Sequence, residues 1–226
     1  MYIAVATRPD IMHSISVLSR YLAHPTSLHW TAGLRVLAYL GSTSSLCIRY
    51  PRNTMKSFNE LSSASLIGYA DADFSNDVDT SRSMTGYICT FSGSAISWKS
   101  KRQSIVATST CEAEYAAGAT ATLELKWLRS LLEDLGVRVD HPTPLYLDNE
   151  SAIFLANIDA CTERSKHFRR RYHVLRDFIR SGDITLRKIP GSENPSDVLT
   201  KAVGLPTLRG FYSRVGLSSM SSMTCS

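Results

Sequence analysis

Leu66-Ile67-Gly68-Tyr69-Ala70-Asp71-Ala72 decides the fold class. It is a short apolar run ending in acid, the pattern of a buried strand that delivers a carboxylate to its end. Along such a strand Ile67, Tyr69 and Asp71 share one face, and Leu66, Gly68 and Ala70 the other. Downstream, residues 86–91 and 94–99 read as two strands separated by Ser92-Gly93, a two-residue hairpin signal. Residues 104–109 add a further short β segment, and 110–135 form a long Ala/Leu-rich helix closed by Gly136. A strand at 144–148, a short helix at 149–157, a basic helix at 166–181, a strand at 184–189 and a last helix at 196–203 complete the series. Three antiparallel strands followed by alternating helices and strands predict an α/β (α+β) domain, a mixed sheet with helices on its faces.

Upstream, Ile11, Ile15, Leu18 and Leu22 recur at a helical period until His24-Pro25 breaks it. A second helical pattern runs through Trp30, Leu34, Val36, Leu37 and Leu40 to Gly41. The organisation expected is a helical hairpin over 1–49, a linker over 50–64, a catalytic-type domain over 65–205 and a flexible tail over 206–226. The tail is serine-rich from Leu217 onward, hence the expectation of disorder. The apolar face of Trp30, Leu34, Leu37 and Leu40 predicts self-association or poor solubility.

The 226 residues are 43% hydrophobic and 20% charged, enough for a packed core and against global disorder. A net charge of +5 permits a polyanionic partner. Five cysteines, an odd number with no C-x-x-C, argue against a disulfide framework or a zinc site. No apolar run approaches the ~20 residues of a membrane helix, and Arg8 and Asp10 come too soon for a signal peptide. A soluble intracellular protein with no membrane partner is expected, cytoplasm or nucleus undecided.

Asp71, Glu114, Asp148 and Asp197 each sit where a predicted element starts or stops. Carboxylates at element ends can meet at one edge of a sheet, and four gathered there would hold two divalent cations. Glu112 and Glu114 separate on physical grounds. Ser109-Thr110-Cys111-Glu112 fits a capping box in which Glu112 reaches back to the Ser109 backbone. Glu114 lies two residues on, rotated by about 200° and free to face the sheet edge. For Asp148 the plain alternative is a helix N-cap, and for Glu114 and Asp197 helix-dipole stabilisation. Asp77 and Asp79 read as an acidic surface turn. A calcium loop counted from Asp71 fails, because Asn76 stands where glycine is needed and Arg82 where glutamate is.

The sequences GYADADFSND (68–77), SRSMTGYICTF (81–91), AISWKSKRQSIVATSTCEAEY (95–115), KWLRSLLEDLG (126–136), LYLDNESAI (145–153), RYHVLRDFI (171–179) and SDVLTK (196–201) resemble the ribonuclease H domain of copia-type retrotransposon Pol polyproteins. Residues 7–40 are similar to the helical end of that family's reverse transcriptase, and Met1 reads as an internal start. The resemblance implies a ribonuclease H-like five-stranded mixed sheet flanked by helices. It implies endonucleolytic cutting of the RNA strand of RNA–DNA hybrids with two Mg²⁺, or Mn²⁺ in their place. It implies Asp71, Glu114, Asp148 and Asp197 as the catalytic, metal-holding acids, and the remaining reverse transcriptase as a partner. No Asp-Asp dipeptide occurs, so the polymerase active site is absent.

Basic residues cluster twice. Lys166, His167, Arg170, Arg171 and His173 lie on the basic helix, and Lys99, Lys101 and Arg102 follow Trp98. Both clusters are candidates for phosphate contact, weighed against solvated helix and strand faces. Trp98 itself reads as a sheet-packing residue. Two other functions stay in view. One is an inactive or co-opted remnant that only binds nucleic acid; magnesium titration separates it from the nuclease. The other is an integrase or transposase, which strand transfer on DNA ends would reveal.

Overall fold

The computed structural model describes residues 1–50, 65–77, 79–137, 139, 142–158 and 173–220. Its centre is a five-stranded sheet of order β4-β3-β2-β5-β6. Strands β2 (Leu66–Asp73), β3 (Met84–Phe91) and β4 (Ser94–Arg102) run antiparallel. Strands β5 (Thr143–Leu147) and β6 (Ile184–Lys188) join β2 in parallel. Connections through helices α4 (Thr110–Asp134), α5 (Glu150–Asn157) and α6 (His173–Arg180) belong to the parallel half, as parallel crossovers demand. This is the five-stranded mixed sheet flanked by helices expected above, with the small helical hairpin before it.

The alternation of β2 divides the core. Leu66 and Ala70 join Leu125, Leu128, Leu145 and Leu175 under α4, α5 and α6. Gly68 lets α4 approach closely, since a Cβ there would sit 2.7 Å from a Leu125 methyl. The opposite face carries Tyr69, Ile88 and Trp98. That face is covered by α1 (Tyr2–Ala6), α2 (Met12–Leu18), α3 (Ser27–Ser42) and α7 (Leu205–Arg214) through Ala4, Ile11, Met12, Tyr39, Phe211 and Val215. The Trp98 indole N–H donates to the Ala4 carbonyl at 2.7 Å, so this tryptophan packs rather than stands free.

Several expectations meet corrections. Within the tail expected to be flexible, the described residues up to 220 form most of α7 and a short strand, β7 (Leu217–Ser219), which pairs antiparallel with β1 (Leu46–Ile48); 221–226 lie outside the described residues. Leu217 is buried in the second core, and that burial anchors the strand with Ser218 and Ser219. Residues 104–109 form no strand. The Thr108 N–H donates to a Glu112 carboxylate oxygen at 2.7 Å, so the segment serves the start of α4. The helix expected over 196–203 is a short 3₁₀ turn, Pro195–Leu199. Of the apolar stripe on α3, Trp30 (70%), Leu34 (47%) and Leu37 (64%) are exposed, whereas Leu40 packs into the second core. Most of the expected linker lies outside the described residues.

Candidate active site at the carboxylate edge

Asp71 is buried near the end of β2, opposite Gly86 of β3. The parallel register sets Tyr69 beside Tyr146, so two residues further on Asp148 comes level with Asp71 at the end of β5. Asp148 does not cap α5. Asn149 does, its Oδ1 accepting from the Ala152 N–H at 3.0 Å, which frees the Asp148 carboxylate. Asp197 arrives on the 3₁₀ turn, which Asn194 ties down. The Asn194 amide donates to the Ala70 carbonyl at 2.9 Å, and its Oδ1 accepts from the Ser196 N–H at 3.2 Å. The turn crosses β3 where only glycine fits. A Cβ at Gly86 would lie 2.7 Å from Thr200 Cγ2, 2.8 Å from Leu199 Cβ and 2.9 Å from the Ser196 carbonyl.

The outcome is convergence. One carboxylate oxygen each from Asp71, Asp148 and Asp197 lie within 4.8 Å of one another. Glu114 is outside that set but beside it, 3% exposed on the second turn of α4. Its Oε2 and the Oδ1 of Asp197 are buried with no hydrogen-bond partner. Glu112 is occupied as expected in kind but not in detail. Its N–H donates to Ser109 Oγ at 3.2 Å, while its carboxylate accepts from the N–H and hydroxyl of Thr108 instead of the Ser109 backbone.

The electrostatics follow from burial and crowding. Burial, then the charge of Asp197 and Asp148, pushes Asp71 up, against the hydrogen bond from the Thr200 hydroxyl and the charge of Lys201. Burial, then Asp71 and Asp148, pushes Glu114 up well beyond the usual carboxylate range. Asp148 is raised by burial and Asp197, with Lys201 and Lys188 opposing. A group of mutually repelling, partly unpartnered hard oxygens suits a divalent cation.

Asp77 is the opposite case and corrects the surface-turn expectation. It is buried and accepts from Arg20 at 2.6 Å and from Arg102 at 2.9 Å. Burial alone would raise it, but hydrogen bonds from Thr80 and Arg102 hold its carboxyl down at about 2. Asp79 stays exposed. Arg102 is therefore engaged structurally, and it also lines, with Lys99 and Lys101, a cleft between β4 and α4 that includes Thr85, Gln103 and Glu124. Lys166, His167, Arg170 and Arg171 lie outside the described residues, and His173 opens α6 with its side chain likewise outside them. Sequence reasoning passed over Asn194, Thr200 and Lys201; the i, i+4 spacing of Asp197 and Lys201 was the one available signal.

No protein-family profile matches the chain. Over 203 residues it is 41% identical to the retrovirus-related Pol polyprotein from transposon TNT 1-94 of Nicotiana tabacum, covering 90% of this chain and 14% of that protein. The chain belongs to the copia-type retrotransposon Pol family. Another Pol relative, from transposon RE2 of Arabidopsis thaliana, is 36% identical over 211 residues, 93% of this chain and 14% of that protein. The chain thus spans about 14% of the length of these Pol relatives. Among solved structures, RNase H1 from the halophilic archaeon Halobacterium salinarum NRC-1 aligns with a TM-score of 0.40 and 17% identity, over 60% of this chain and 94% of that one. No described helix of this Pol-family chain is long and apolar enough to cross a membrane.

Proposed function

We propose that this chain is a metal-dependent ribonuclease H, cutting the RNA strand of RNA–DNA hybrids with Asp71, Glu114, Asp148 and Asp197 as its catalytic acids. The observation that carries the proposal is the convergence of Asp71, Asp148 and Asp197 from three separate elements, with buried, unpartnered oxygens on Asp197 and Glu114. Membership of the Pol family and the ribonuclease H-like sheet support the same reaction class. The donor set is all carboxylate, which fits Mg²⁺ or Mn²⁺ and not a soft metal. When bound, two such ions would polarise the scissile phosphate and lower the pKa of a water molecule.

The chain's own residues do the positioning. Asn194 and Thr200 hold the 3₁₀ turn and Asp71 in register, so that the carboxylates are pre-set before substrate arrives. In-line attack of water on the scissile phosphorus, with departure of the 3′ oxygen, leaves a 5′-phosphate and a 3′-hydroxyl. Lys99 and Lys101 are offered as phosphate contacts beside α4, and the basic residues Lys166, His167, Arg170, Arg171 and His173 as a second set. Hybrid selectivity is assigned to 2′-hydroxyl contacts across the minor groove. The exposed Trp30, Leu34 and Leu37 of α3 supply a face for the reverse transcriptase portion of such a polyprotein.

Purified protein with Mg²⁺ and an end-labelled hybrid tests this. RNA fragments should appear, the DNA strand should stay whole, and Asp148→Asn should abolish the products. Cleavage that survives Asp148→Asn removes that residue from the mechanism. A chain that binds hybrid yet neither cuts it nor takes up Mg²⁺ would be the binding-only remnant instead.

A further inference from the structure

The acidic edge already contains a cation of the protein's own. Lys201 Nζ lies 3.0 Å from Asp197 Oδ2. Its charge is felt by Asp71 and Asp148 as well. One ammonium does not satisfy the group, since Asp197 Oδ1 and Glu114 Oε2 remain buried without partners. The other nearby lysine, Lys188, donates to the Asp148 backbone carbonyl and faces Glu150 at 3.8 Å, which leaves Asp197 to Lys201. The two partners differ in freedom. The Lys201 side chain is 45% exposed and that of Asp197 only 14%. The carboxylate is fixed, and the ammonium sits on a flexible stem with open water behind it.

We propose that Lys201 is a displaceable counter-cation, balancing the acidic edge in the metal-free protein and competing with a divalent ion for entry. This rests on the metal-dependent reading of the same site. An ammonium and a divalent ion within a few ångström repel strongly in a partly buried setting, so both cannot be held at full strength. Lys201 is also at the rim, where a nucleic-acid phosphate would offer it a new partner as it leaves Asp197. Metal entry and arrival of the polyanion would then favour the same movement, and the site would load most readily when substrate is present. Lys201 acts through Asp197 and is a positioning residue, not a catalytic one.

Calorimetric titration of MgCl₂ into the full chain at low ionic strength, without nucleic acid, tests this on wild type, Lys201→Met, Lys201→Gln and Lys201→Arg. The two neutral variants should bind Mg²⁺ about tenfold more tightly than wild type, and the arginine variant should stay within about twofold. Without metal, the neutral variants should melt below wild type, and saturating Mg²⁺ should close that gap. A lysine with a merely structural role would lower the melting temperature equally with and without Mg²⁺, and that outcome overturns the proposal. So does Mg²⁺ affinity in the neutral variants that is unchanged or weaker while wild type binds normally, a result that leaves the nuclease reading standing. Wild type that takes up no Mg²⁺ ends both.

Discussion

Two acidic regions of this chain make opposite use of buried carboxylates. Asp77 is buried between Arg20 and Arg102 and is held strongly ionised. At the other, Asp71, Glu114 and Asp148 are crowded together with Asp197, and burial and mutual repulsion push the first three toward protonation. Burial is common to both, so the partners decide the outcome. Asp77 has its cations built in and is a structural joint. Among the described residues the carboxylate edge has fewer cations than anions, and an unmet charge demand in a folded protein points to a ligand.

The largest test of this contrast removes one carboxylate in each region. Asp148→Asn should abolish hybrid cleavage while the protein remains folded by far-UV circular dichroism. Asp77→Ala should do the reverse. It leaves two arginines without their buried partner and should cost about 3 kcal/mol of stability by urea unfolding, with cleavage per folded molecule retained. Gly86→Ala comes next. The new methyl meets Leu199 Cβ and the Ser196 carbonyl, which cannot yield as a side-chain tip can. A loss of about 1–3 kcal/mol is expected, together with reduced cleavage as the turn bearing Asp197 is displaced.

A smaller effect is the pH dependence of the metal-free protein. The raised acids hold protons in the folded state at pH values where the unfolded chain has already released them. The folded state therefore binds more protons, and stability falls as pH rises from the ordinary carboxylate range. Melting temperatures should drop between about pH 5 and pH 8 in EDTA, and Mg²⁺ should flatten the slope. Asp77 works with the opposite sign, since its depressed carboxyl contributes stability that is lost only as pH falls through its folded value of about 2. The smallest effect is on α3. Replacing Trp30 and Leu37 with Gln should reduce self-association in sedimentation velocity and leave cleavage unchanged.

What the sequence revealed follows how local each feature is. Glu114 was separable from Glu112 because a capping box is a four-residue pattern, and Ser109 does accept from the Glu112 N–H. The mixed character of the sheet followed from a hairpin and alternating helices. Asp77 was misread because Arg20 lies 57 residues away, and nothing near Asp77 announces a buried pair. The pairing of β7 with β1 was missed for the same reason. Leu217 pairs with Ile48 far upstream, and the serines that follow it announce no strand. Asn194 looks like one more turn residue until its amide is seen on the Ala70 carbonyl, 124 residues away.

The clasp of β1 with β7 has a practical corollary. Anyone excising residues 65–205 as a tidy nuclease module would cut away the pieces that roof one side of the sheet, stripping Ile88 and Trp98 of their cover. Such a trimmed version should be sticky and short-lived in solution, and its failure would say nothing about the chemistry at the far rim.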